Sequence, residues 1–529
     1  FFASRREHHE LAVDLLMRLA GSDPGGGHEA AAFLASERAH ARGLLDLMAE
    51  GRIGAGRELP RALREREVEI DARLSQVQNL LIRELSEERP DPTKVGKLRR
   101  ELRQAEEQRQ DLEARIRREH RRYAQARYGE PLPLSRIQPL LDAETALLEY
   151  VIGQEASYLF AVTREGMTTH RLPPAGEIAR LVRAARAGLE APDSPRRLRS
   201  YAAAARGLHD RLIAPARRTL AGKRHLLVAA DRSLHLLAFE TLLSADAAGR
   251  PAHELPYLAR EYAVTYVPSA TVWAELMESR RQRPPPDPSA KRLLAVADPL
   301  NLSKAPAPPG QQGAAPPAGV TRTGRGLLDA DRWSWSRLEG SGREVQRIAG
   351  LYPRGDVALY IGAEATEENL KGSRWLSDAH RLHFATHGII SETQPELSAL
   401  QLTRAEGSRE DGLLQAYEIF DLRLGADLVV LSACETALGK QVTGEGLMGL
   451  TRAFLHAGAA SVVVSLWPVA DDSATPDLMV SFYRRLDRSR DAARRKAEAL
   501  QAAKLDLIRE KQYAHPYYWA PFILVGEPE

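Results

Sequence analysis

From residue 145 onward the hydrophobic pattern of this chain changes, and that change limits what it can fold into. Before this point apolar residues recur every three or four positions, as on one face of a helix. After it they gather into short, nearly continuous runs: Arg292–Ala297, Val357–Ile361, Arg381–Thr386, Asp427–Ser432, Ser461–Leu466 and Phe522–Val525. Strands buried on both faces read this way, and such strands belong to parallel sheets. Helical patterns stand between several of the runs, at Gly342–Leu351, Thr366–Leu376, Gly446–His456 and Ala474–Arg485. The alternation predicts an α/β module, a mostly parallel sheet with helices on both faces.

The preceding stretch carries similar signals. Ala146–Ile152 and Tyr158–Val162 flank a hairpin signal at Gly153-Gln154-Glu155, a helical segment spans Pro174–Leu220, and apolar strands follow at Arg224–Ala230 and Glu261–Val267. A linker at Pro284–Pro288 separates the two stretches, and 303–325, rich in Pro, Gly and Ala, reads as a mobile surface loop. Toward the N-terminus, residues 7–50 form two helical segments around Gly25-Gly26-Gly27, the size of one tetratricopeptide-like unit. A long helical hairpin follows. Its first arm spaces Ile70, Leu74, Val77 and Leu81 as a coiled-coil seam. Pro90-Asp91-Pro92 breaks it, and Val95, Leu98, Leu102, Ala105, Leu112, Ile116 and Tyr123 continue the seam on the return. The expected organisation is a helical, tetratricopeptide-like region at 1–58, the hairpin at 59–130, a first α/β half at 145–281 and a second at 290–529.

Among 529 residues, 74 Lys and Arg against 71 Asp and Glu leave a net charge of only +3, which gives no reason to expect a direct nucleic-acid partner. No run of about 18 apolar residues suggests a membrane span. The first residues, Phe1-Phe2-Ala3-Ser4, carry neither an initiator Met nor a signal-peptide layout, as expected of a stretch within a longer or processed chain. One cysteine cannot form an internal disulfide, and no cluster has zinc-ligand spacing, so neither a metal nor a cofactor is expected and a cytoplasmic setting fits.

That cysteine, Cys434, ends one apolar run, and His387-Gly388 ends another 47 positions earlier (434 − 387). A thiol attacks as the thiolate, which an imidazole can generate before protonating a leaving amine. The two need adjacent parallel strands whose carboxyl ends face one crevice. The backbone N–H groups of Gly388 and Cys434 would form an oxyanion hole. By itself a lone Cys in an apolar run is usually a small buried hydrophobe, and it is His387-Gly388 that raises its standing. His383 alternates with His387 and reads as packing on one sheet face. Gly444-Glu445-Gly446 lacks the Gly-Lys-Ser/Thr ending of a phosphate loop.

His387-Gly388 and Ser432-Ala433-Cys434-Glu435-Thr436-Ala437, each after an apolar strand, resemble the CHAT family of caspase-like cysteine peptidases. Asp231–Glu240, Gly444–Leu447, Ser465–Asp472, Phe482-Tyr483 and His515–Phe522 add to the resemblance, which covers about 145–529. The Gln-Ala-Cys-x-Gly signature of classical caspases is absent. The resemblance implies a caspase-like α/β fold preceded by helical repeats, with a degenerate first half at 145–281 and the catalytic half at 290–529. It also implies a regulated cysteine endopeptidase in a signalling or defence system. Its partners would be a protein substrate and a regulator received by the N-terminal helices. Substrate binding is expected from strand-end residues. Asp298, or Asp471 and Asp472, would select a basic side chain, and Ser465-Leu466-Trp467 would pair with an extended peptide. Asp471-Asp472 also reads as a helix N-terminus. The competing reading is a non-catalytic scaffold that recruits partners through its helical region.

Overall fold

The computed structural model describes residues 2–50, scattered positions from 60 to 77, 91–119, 131–189, 192–247, 249–282, 292–300, 337–391, 397–405, 407–408, 410–432, 434–438 (by backbone), 445–468, 474–488 and 495–528. Two helices come first, α1 (Phe2–Ser22) and α2 (His28–Glu50), then α3 (Pro92–Glu119). The first half supplies β1 (Thr145–Val151), β2 (Ser157–Val162), β3 (Met167–Leu172), α4 (Ala175–Leu189), α5 (Pro195–Leu212), β4 (His225–Ala229), β5 (Ala263–Tyr266) and α6 (Ala270–Gln282). The second half supplies β6 (Leu293–Ala297), α7 (Glu339–Ala349), β7 (Val357–Ile361), β8 (Arg381–Ala385), β9 (His387–Ser391), β10 (Ala399–Gln401), β11 (Leu413–Gln415), β12 (Leu428–Leu431), β13 (Cys434–Leu438), α8 (Glu445–His456), β14 (Ser461–Ser465), α9 (Ala474–Arg488), α10 (Arg495–Arg509) and β15 (Phe522–Gly526).

Both halves build one sheet, in the order β3-β2-β1-β4-β5-β15-β14-β12-β8-β6-β7. Among the described residues of this sheet only the pairs β1–β2, β2–β3 and β14–β15 are antiparallel; its other neighbours run parallel. The halves meet where β15 pairs with β5, Val525 opposite Tyr266. Alternate residues of β1 enter two different cores. Ala146, Leu148 and Tyr150 face α4 and α5, while Leu147 and Val151 face the N-terminal helices and α6. The fold is therefore the expected α/β one, a mostly parallel sheet covered on both faces.

Local signals explain the helix ends. The expected single segment Pro174–Leu220 is two helices, because Ser194 accepts the Arg197 N–H as an N-cap and Pro195 fixes the first helical position. Gly188 lets α4 and α5 approach closely, since a Cβ there would lie 2.5 Å from that of Tyr201. Asp91 caps α3 through the Thr93 N–H at 2.8 Å, directly after the Pro90 break. Leu63, Ile70 and Val77 on one arm and Val95, Ala105 and Leu112 on the other are buried. Leu74 and Leu81 lie outside the described residues, as does 303–325.

The N-terminal helices cover the sheet face of the first half. Phe33 meets the Phe160 ring edge-on at 5.8 Å, beside Val13 and Ala32 in the same core. Tyr158 donates its hydroxyl to Asp14 at 2.6 Å, and Arg232 pairs with Glu10. The Glu37 carboxylate accepts the N–H groups of Ala270 (2.8 Å) and Thr271 (2.6 Å), so α2 caps α6. The opposite side of α1 leaves Leu11, Leu15 and Leu19 about half exposed.

Candidate active site

β8 and β12 lie side by side in the main sheet, Leu431 opposite Phe384. The Ser432 N–H donates to the Phe384 carbonyl at 2.8 Å and extends that ladder by one step. Both chains then enter a second sheet, ordered β11-β10-β9-β13. There β13 pairs in parallel with β9, Cys434 opposite His387 and Glu435 opposite Gly388. The offset of 47 positions is the same in both sheets (431 − 384 and 434 − 387). Register partners on adjacent strands stand about 4.8 Å apart. The candidate dyad thus sits on neighbouring parallel strands just past the carboxyl edge of the main sheet. His387 is 8% exposed, and Gly388 lies between Glu435 and Leu400 of β10.

A buried polar network underlies this edge. His383, fully buried on β8, places Nε2 2.9 Å from Glu344 of α7 and Nδ1 3.0 Å from the Tyr483 hydroxyl of α9. A carboxylate only accepts, so Nε2 carries the proton and Nδ1 accepts from Tyr483. Burial holds the Tyr483 hydroxyl well above its ordinary pKa, which keeps it a donor. The second Glu344 oxygen accepts from the Ser432 hydroxyl at 3.3 Å, two residues before Cys434. Below them Arg381 bonds Asp487 at 2.7 Å and also Tyr352, whose hydroxyl burial pushes up to about 12. His383 is thus a structural residue on a sheet face, as its alternation suggests. The sequence offered no signal for Glu344, which sits in an ordinary helical pattern.

Asp298 follows β6, the next strand beyond β8, with Ala297 opposite Ala385. It adopts a left-handed backbone, φ 48°, and is buried. Its N–H donates to Ser341 at 2.9 Å, and the nearby Leu300 N–H donates to Thr403 at 2.8 Å, which pins the turn on both sides. Its carboxylate accepts from Arg337 Nε at 3.2 and 3.3 Å and from Nη2 at 3.0 Å. That hydrogen-bonded carboxylate raises the already high pKa of the guanidinium.

Ser465 and Trp467 are buried and internally bonded. The Ser465 hydroxyl donates to the Trp467 carbonyl at 2.7 Å, and Trp467 Nε1 donates to Tyr517 at 3.1 Å. The backbone alongside is taken by β15, with Ser465 opposite Phe522 and the Leu466 N–H on Pro521. Asp471 and Asp472 lie outside the described residues.

Among the described residues two clusters have the composition of metal sites. Glu367, Glu410 and Glu418 surround the Lys371 ammonium at 2.8–3.0 Å, so a cation already sits among them. Glu37, His40 and Glu149 lie between α2 and β1. Burial, then the neighbouring Glu37 charge, hold the Glu149 carboxyl well above the usual carboxylate range. That shift favours a proton on Glu149, which removes one of the two like charges of the pair.

The chain belongs to the CHAT-domain family, whose match covers residues 202–527. It is similar to tetratricopeptide repeat protein 28 of Homo sapiens, 30% identical over 380 residues, which are 63% of this chain and 13% of that protein. The Mus musculus protein of the same name is 32% identical over 235 residues, covering 37% of this chain and 9% of its own length. The chain thus spans a small fraction of these relatives. Among solved structures, two of the Saccharomyces cerevisiae separase–securin complex resemble it at 11% identity. Their TM-scores are 0.45 and 0.41, covering 74% and 94% of this chain and 30% and 40% of theirs. Among the described residues no helix is long and apolar enough to cross a membrane.

Proposed function

We propose that the chain is a caspase-like cysteine endopeptidase with Cys434 as nucleophile and His387 as its proton acceptor. The register that sets Cys434 opposite His387 carries this reading. In the proposed reaction His387 takes the thiol proton and the sulfur attacks the peptide carbonyl carbon. The oxyanion accepts from the Gly388 and Cys434 N–H groups. The amine then leaves with the proton from His387, and water, deprotonated by the same imidazole, hydrolyses the thioester. Asp298 is the proposed acid for a basic substrate side chain. Asp471 and Asp472 remain candidates for the same role, and Ser465 and Trp467 for pairing with the substrate in extended form.

The exposed Leu11, Leu15 and Leu19 stripe supports a docking role for the N-terminal helices, and the buried positions of the hairpin arms support a coiled-coil spacer. On the scaffold reading these surfaces alone would be the function. Mapping new protein termini in extracts treated with the wild type and with Cys434→Ala separates the two. Termini that depend on Cys434 support the peptidase. Identical sets, with partner capture retained, support the scaffold.

A further inference from the structure

We infer that Arg337 occupies Asp298, the acid proposed above for a basic peptide side chain, as an internal competitor that such a side chain must displace. The inference rests on the peptidase reading for its substrate class, though binding at Asp298 can be measured without cleavage. Three consecutive parallel strands end at one edge. Asp298 follows β6, His387 follows β8 and Cys434 follows β12. Two strand spacings put Asp298 roughly 10 Å across from the Cys434 strand, alongside the histidine.

The burial of the pair is lopsided. The Asp298 side chain is 6% exposed and that of Arg337 is 58% exposed. A carboxylate set into the fold is reached from the solvent side by a guanidinium, through Nε and Nη2. A substrate arginine would make the same approach with the same planar fork. The acid also carries the marks of a preset site. A non-glycine residue at φ 48° is uncommon, and such backbone persists only where its surroundings over-determine it. Here Ser341 and Thr403 do so. A structural ion pair needs no such placement beside the dyad strands. The exposed Arg337, by contrast, reaches Asp298 from two residues before α7 and has a second acid, Glu339, 3.4 Å away to receive it on displacement.

The test uses agmatine, a guanidinium without a peptide bond, in the Cys434→Ala background. Expected by calorimetry is at least about tenfold tighter binding to Arg337→Ala than to the parent, a difference of about 1.4 kcal/mol. Asp298→Asn should abolish that binding, and Arg337→Lys should fall between parent and Arg337→Ala. With Cys434 intact, Arg337→Ala should lower KM for peptides cut after Arg without lowering kcat, and should leave peptides cut after Leu unchanged. Equal agmatine binding by parent and Arg337→Ala overturns the inference, as does an equal KM change on both peptide sets. Agmatine binding with no peptide cleavage would leave the inference standing and remove the peptidase reading. Cleavage with no preference for Arg would do the reverse.

Discussion

Replacing Lys504 by Met tests how the two halves are held together. Lys504 of α10 places Nζ 2.6 Å from Glu240 of the first half, and the two side chains are 1% and 5% exposed. The Tyr266 hydroxyl, on β5, donates to the other Glu240 oxygen at 2.7 Å. Removing the ammonium leaves one hydroxyl facing a buried carboxylate, and breaking such a pair costs about 3–5 kcal/mol. Methionine fills most of the volume, so little of that loss is a cavity effect. Urea unfolding at pH 7 should therefore show a loss near 4 kcal/mol. The double variant Lys504→Met, Glu240→Met should regain most of it, because no uncompensated charge stays buried. Tyr266 keeps partners in the double variant, since it accepts the Phe239 N–H at 2.7 Å and lies 3.3 Å from the Leu237 carbonyl. A loss below about 1 kcal/mol in the single variant, or simple additivity in the double, would refute the reasoning.

Three further outcomes are expected. Glu149 holds its proton more tightly when folded, so its contribution makes stability fall as pH rises above the unfolded value near 4.5. In Glu149→Gln, urea midpoints between pH 4 and 8 should lose that fall. Burial pushes the His515 imidazole down to about 4, so the unfolded chain takes the proton first. Stability should drop by about 3 kcal/mol as pH falls from about 6.5 toward about 4. His515→Asn keeps an acceptor for the Tyr517 N–H and should flatten that drop in the same titration. Glu344→Ala strands the His383 imidazole and the Ser432 hydroxyl, each at about 1–3 kcal/mol, and denaturant midpoints should fall accordingly.

The parallel strands were legible because burial on both faces turns each into a continuous apolar run. The runs at 357–361 and 461–466 differ from β7 and β14 by one residue at most. Spacing also located the strands of the candidate dyad, since the 47-position offset is the register of β8 with β12 and of β9 with β13. The second sheet was not legible: β10 and β11 are three residues each, too short for a period to register. Nor was β3, whose half-exposed Met167–Leu172 lacks the apolar run of its neighbours. The packing of α1 and α2 on the sheet rests on contacts across more than a hundred residues, such as Ser36 with Glu149, which no local pattern encodes. Asp298 was visible as a strand-end acid, but Arg337, its partner 39 residues later, was not.

The most direct test uses the fact that Cys434 is the chain's only thiol. The rate of its alkylation by iodoacetamide, followed against pH in the folded wild type and in His387→Ala, reports thiolate formation with no substrate or partner required. An imidazole partner should hold the wild-type inflection well below the 8.5 of a free thiol, and His387→Ala should return it to about 8.5. Coincident profiles, or a folded wild type that resists alkylation at every pH, would contradict the dyad.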